Sequence, residues 1–177
     1  MDPKQYFAPV VALKRIRRVE ISTFKIINGV VFYVLDIFLV HPTSRIPTVN
    51  QSASSTATGA ANAPDFRILR RFREFDTLRR RVAKFARFQV AGSCPYCDSL
   101  RRFLMNCYSR PALLVKLRAD PEARAKVLET FVNRLVQLSV GRVDDRTNTR
   151  EQFKAMCASY TAVPQLVHHF VRPRPAA

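Results

Sequence analysis

The chain has 177 residues, 47% of them hydrophobic with 13 Phe and no Trp, which suits one domain with a real core and excludes global disorder. Its formal net charge of +17, from 30 Lys and Arg against 13 Asp and Glu, implies a polyanionic partner, either nucleic acid or an anionic membrane surface. The longest apolar run, 30–40, is interrupted by Asp36 and is too short to span a bilayer. Met1-Asp2-Pro3-Lys4-Gln5 lacks the apolar stretch of a signal peptide, and the four Cys do not follow a secreted disulfide pattern, so a cytosolic protein is expected.

Residues 1–13 give weak signals and read as an N-terminal arm, with Val10, Val11 and Leu13 available to pack on the domain. From Arg15 to Ile27 the chain is β-branched and aromatic, with Val19, Ile21 and Thr23 alternating against Glu20 and Ser22. Asn28-Gly29 follows, the dipeptide that best accepts the positive φ angles of a type I′ hairpin turn. Val30 to Val40 reads as a central second strand, apolar on both faces apart from Asp36. The segment 42–64 is rich in Ser, Thr, Ala and Asn with Arg45 its one charge, and is expected to be a disordered loop inside the domain. Phe66 to Arg71 then completes a three-stranded meander.

Directly after it, Phe75, Leu78, Val82 and Phe85 make one apolar stripe on a helix. Between Arg67 and Arg87 only Glu74 and Asp76 oppose nine Lys and Arg. Arg70, Arg71 and Arg73 bracket Phe72 where strand turns to helix. Such a cluster serves either as a solvated basic turn with Phe72 in the core or as planar, multidentate partners of phosphate beside an aromatic face.

The run Arg70-Arg71-Phe72-Arg73-Glu74-Phe75, with Leu78 and Val82 following, resembles the signature of the Phox homology (PX) domain, usually Arg-Arg-Tyr-x-x-Phe-x-x-Leu. A meander followed directly by a helix is also that family's order, and the likeness covers roughly 15–170. It implies an α+β fold, a three-stranded antiparallel β-meander packed against a helical subdomain, spanning 14–171 with a tail at 172–177. It further implies a membrane-targeting module that binds phosphoinositide headgroups, most often phosphatidylinositol 3-phosphate, as a cytoplasmic protein peripheral on endosomal membranes. On the same likeness Arg71 is the ligand of the 3-phosphate and Phe72, in place of the commoner tyrosine, stacks beneath inositol. Arg70 and Arg73 add field strength, although Arg70, as a strand neighbour of Arg71, points to the opposite face.

The region 89–118 is an atypical insertion. Cys94-Pro95-Tyr96-Cys97 opens it, and Leu100, Phe103, Leu104 and Cys107 lie at helical spacing. The family holds a loop here with a proline, two variable residues and a phosphate-binding lysine. Pro111 to Lys116 is two residues longer than that, so Arg118 competes with Lys116 for the role. Asp120-Pro121-Glu122 is a good helix start, and the helix is expected to run to about Val140 with Leu128, Phe131, Leu135 and Leu138 as its stripe. Arg124 lies one turn before Leu128, on the face where a charge needs an anion. In the family an arginine in that register contacts the inositol ring hydroxyls. One or two closing helices, broken near Pro164, are expected over 151–171.

Cys94 and Cys97, with Cys107 or Cys157 and the histidines His41, His168 or His169, are the one conceivable zinc set, but a lone Cys-x-x-Cys is a weak signal. Pro95 and Asp98 suit a helix cap equally well, so the pair is expected to be reduced and metal-free. No strand-helix-strand frame supports a thioredoxin-like site, and no catalytic set emerges, so neither an enzyme nor a cofactor is expected. Nucleic acid ranks behind the membrane as partner, because the bases gather at one junction and one helix start instead of along a recognition helix or an open sheet. A degenerate PX fold that binds protein partners is the remaining alternative.

Overall fold

The structure is a computed structural model that describes residues 3–41, 63–87, 94–105, 120–140 and 157–173. In chain order these form α1 (Pro3–Lys14), β1 (Ile16–Ile27), β2 (Val30–Leu39), β3 (Phe66–Arg71), α2 (Phe72–Arg87), α3 (Pro95–Met105), α4 (Pro121–Val140) and α5 (Ser159–Val171). The fold is α+β, with one antiparallel sheet of order β1-β2-β3. Lys116, Arg118 and Cys107 lie outside the described residues, as does nearly all of the 42–64 loop.

Asn28 and Gly29 turn the first hairpin with φ of 50° and 73°, both positive as a type I′ turn requires. β2 is the central strand, buried on both faces from Tyr33 to Phe38. Its inward residues Tyr33, Leu35 and Ile37 pair with Arg70, Ile68 and Phe66 of β3 and join the main core. Burying side chains of this size contributes about 1.5–3 kcal/mol each. The period-2 pattern of β1 holds for Val19 and Ile21, then breaks at a bulge between Ile21 and Thr23. The extra residue moves Phe24, not Thr23, onto the core side, and Thr23 is exposed.

α4 lies along the outer edge of β1 and satisfies its unpaired backbone. Asn133 Oδ1 accepts from Val19 N at 2.9 Å, Asn133 Nδ2 donates to Val19 O at 2.6 Å, and Glu129 Oε2 accepts from Ile21 N at 2.9 Å. An open strand edge is thereby closed by side chains. The start of α4 is capped as its sequence suggests, with Asp120 accepting from Glu122 N and Ala123 N at 3.1 Å. At the end of the sheet away from the Asn28-Gly29 hairpin, Asp65 clamps the base of the long loop. Its Oδ2 accepts from Leu39 N at 2.7 Å, its own N donates to Ile37 O, and His41 Nε2 lies 2.6 Å from Oδ1.

Two expectations from sequence are corrected. The expected N-terminal arm contains helix α1 (Pro3–Lys14), despite Pro9 within it, and its Val10 and Leu13 are buried as the sequence allowed. α5 runs unbroken through Pro164, because proline keeps a helical φ and sacrifices one hydrogen bond, to the carbonyl four residues earlier. Buried Val163, Val167, Phe170 and Val171 outweigh that loss. Arg79 of α2 is half-buried and donates from Nη2 to Leu104 O at 2.9 Å, tying α2 to α3.

Candidate functional site

β3 alternates, so Arg70 and Arg71 leave it on opposite faces. Arg70 points inward, is 3% exposed, and donates to three carbonyls: Phe170 O from Nε at 2.8 Å, Leu69 O from Nη1 at 2.9 Å and Arg172 O from Nη2 at 2.7 Å. Its fork fastens the last turn of α5 to the sheet, and Arg70 also lines the cleft described below.

Arg71 points outward and is exposed, with its guanidinium carbon 4.6 Å from the centroid of the Phe32 ring, its cross-strand partner. Its backbone N donates to Glu74 Oε2 at 2.7 Å, the return half of a capping box at the start of α2. The cap fixes how α2 leaves β3, and α2 then presents Arg73, Thr77 and Arg81 at i, i+4 and i+8 on one face. Those three line a cleft of about 610 Å³ with Arg71, Phe32, Leu69 and the α5 residues Leu166, His169 and Phe170. Arg71, Arg73 and Arg81 are all exposed, and Glu74 is the one acid among the described residues of the lining. Three guanidiniums around one concavity favour a multiply charged, oxygen-rich anion.

Of the residues expected to meet here, Arg70, Arg71 and Arg73 do so, Arg70 with its donors already committed to backbone carbonyls. Phe72 is half-buried against the core and is absent from the cleft wall. α2 begins at Phe72, which sets its ring three residues ahead of Phe75 on the apolar stripe. Phe32 supplies the aromatic face instead. Arg124 likewise is not in the wall, and sits by the buried hydroxyl of Tyr33. Burial raises the pKa of Tyr33 and the charge of Arg124 works against that rise. Arg81 was findable from its helical spacing with Arg73, whereas Phe32 and His169 come from other elements and carry no local signal. On the inner side of His169, burial lowers the pKa of half-buried His168, reinforced by the charges of Arg172 and His169.

The outer face of the sheet carries further cationic contacts: Arg18 lies 3.8 Å from the centroid of Phe38, and Arg67 Nε is 2.8 Å from the buried carboxylate of Asp36. At the hairpin end of this sheet, two residues from Phe32, Ile26, Ile27 and Val30 are exposed at 66%, 42% and 38%. Away from the cleft, α3 starts at Pro95 and carries Cys97 in its first turn, with Cys94 just before it and Cys157 just before α5. Burial pushes the Cys97 thiol up to about 12. Burial also works to raise Cys94, but the N–H groups of Cys97 and Tyr96 and the neighbouring thiols outweigh it and hold that thiol below its ordinary range.

Comparison with known protein families, curated proteins and solved structures gives no match to this chain. Among the described residues no helix is long and apolar enough to cross a membrane.

Proposed function

We propose that the protein is a PX-like module that binds a phosphoinositide headgroup, phosphatidylinositol 3-phosphate first, and so attaches peripherally to endosomal or other phosphoinositide-bearing membranes. The observation that carries this reading is the convergence of Arg71, Arg73 and Arg81 on one cleft at the β3–α2 junction. Arg71 is the phosphate's bidentate partner, held in place by Phe32 behind it and by the cap beneath it. Arg73 and Arg81 add charge and further donors. Arg124 has no part in this version of the site, and Phe32 takes the place given by the motif to Phe72.

Two further observations favour a membrane over a nucleic acid. A cleft of about 610 Å³ is in the size range of small-ligand pockets and suits one compact anion better than a polymer backbone. The exposed Ile26, Ile27 and Val30 stand at the same end of the sheet, where they can enter the interfacial layer while the cleft takes the headgroup. The surrounding bases contribute roughly 1 kcal/mol each near an anionic surface, in a salt-sensitive way.

Liposome flotation across a phosphoinositide panel at two salt concentrations tests the reading. Binding to the 3-phosphate lipid should persist at the higher salt, and Ile26→Ser with Ile27→Ser should weaken flotation. Equal flotation with any anionic lipid, or competition by DNA as effective as by lipid, would make the protein a nonspecific polyanion binder.

A further inference from the structure

The chain contains four cysteines, and three of them meet. Cys94 Sγ lies 3.4 Å from Cys157 Sγ, Cys97 Sγ lies 3.5 Å from the same atom, and all three sulfurs are within 4.8 Å of one another. Cys157 comes from a segment 60 or more residues away in sequence, so the Cys-x-x-Cys pair is not the isolated helix cap expected from sequence. A zinc–thiolate bond of about 2.3 Å in a tetrahedron places sulfurs roughly 3.8 Å apart, close to the spacing here.

We infer that Cys94, Cys97 and Cys157 form a binding site for a soft divalent cation, zinc first, which staples the start of α3 to the start of α5. Three sulfurs select zinc over magnesium or calcium, which require oxygen ligands. The trio supplies three of zinc's four positions, and a water or one further donor completes the set. Binding releases the thiol protons, since thiolates are the ligating form.

The surroundings are built around the trio. Cys97 and Cys157 are buried at 2% and 9% exposure, and Cys94 is half-buried, which leaves a route for the ion. Ser159 accepts from Cys97 Sγ at 3.3 Å and donates to Phe85 O at 3.0 Å, so the C-terminal turn of α2 is tied into the same knot. Tyr96 and Tyr160 stack beside it, with centroids 4.4 Å apart. Simple packing of small residues would explain one or two buried cysteines. It gives no reason for two distant segments to aim three sulfurs at a common point, and a disulfide would use only two of them.

The test is metal analysis of the full chain purified without chelator, together with cobalt titration of the chelator-stripped protein. Stoichiometric zinc and a thiolate-to-cobalt charge-transfer band are expected, with Cys94→Ser and Cys157→Ser each reducing bound metal to substoichiometric levels. The cobalt spectrum of the unsubstituted chain needs no variant to fold. Metal-free protein that develops no such band, Cys157 recovered in a disulfide under reducing purification, or full zinc retention by both variants would overturn the site. Headgroup binding is read separately by flotation, so failure of the metal site leaves the cleft untouched, and the reverse.

Discussion

Arg70 and Arg71 are neighbours in sequence and opposites in the fold. Arg70, on the inner face, is buried with its donors committed to the carbonyls of Leu69, Phe170 and Arg172. Arg71, on the outer face, is exposed over Phe32 and lines a basic cleft. The same division repeats in α5, where His168 is half-buried and His169 is exposed in the cleft wall. A basic run is thus two populations. One holds the frame together through charge-assisted hydrogen bonds, and the other is left at the surface where a ligand can use it.

The largest expected effect falls on the inner face. Arg70→Ala should lower stability by about 2–4 kcal/mol, because hydrogen bonds from charged donors are worth about 1.5–3 kcal/mol and buried carbonyls lose their partner. Denaturant unfolding measures it, and a loss under 1 kcal/mol would show that the α5 anchor does not depend on this fork. Next comes acid sensitivity. His168 has a folded pKa below its ordinary 6.5, so the unfolded chain binds the proton more readily. The stability tied to this group is complete above pH 6.5 and is lost as the pH falls through the lowered folded value. His168→Gln should flatten that limb of a stability–pH curve, and an unchanged limb would assign it to other groups. The smallest effect is expected in the loop: replacing Ser52–Ala63 by a short Gly/Ser linker should leave unfolding cooperative. The clamp of Asp65 on Leu39 N and His41 holds the loop base independently of its content, and closure entropy varies slowly with length. Loss of cooperativity would make the segment structural.

Much of the frame was legible in the sequence because its signals are local. Asn28-Gly29, the apolar run of β2 and the Asp120 cap each specify their own conformation within a few residues. Alternation along β3 also separated Arg70 from Arg71 in advance. The partners were not legible, since they depend on distant segments: the carbonyl of Phe170 is 100 residues from Arg70, and Cys157 is 63 from Cys94. A proline misled in α5, where Pro164 lies inside a helix held by buried neighbours. For the site, the motif located Arg71 and Arg73, but the helix start at Phe72 sent that ring to the core, and only the sheet register brings Phe32 under Arg71.

The division of labour between the two faces is tested by calorimetric titration with the soluble headgroup of phosphatidylinositol 3-phosphate, run beside thermal unfolding of each protein. Arg71→Ala should weaken binding by 10-fold or more, equivalent to roughly 1.4 kcal/mol, while unfolding stays within about 0.5 kcal/mol of the unsubstituted chain. Arg71→Lys should recover little, since a point charge lacks the planar fork. Arg102→Ala, an exposed cation on α3 away from the cleft, should change neither quantity. Equal losses of headgroup affinity in Arg71→Ala and Arg102→Ala, or no affinity in the unsubstituted chain, would contradict the cleft as the anion site.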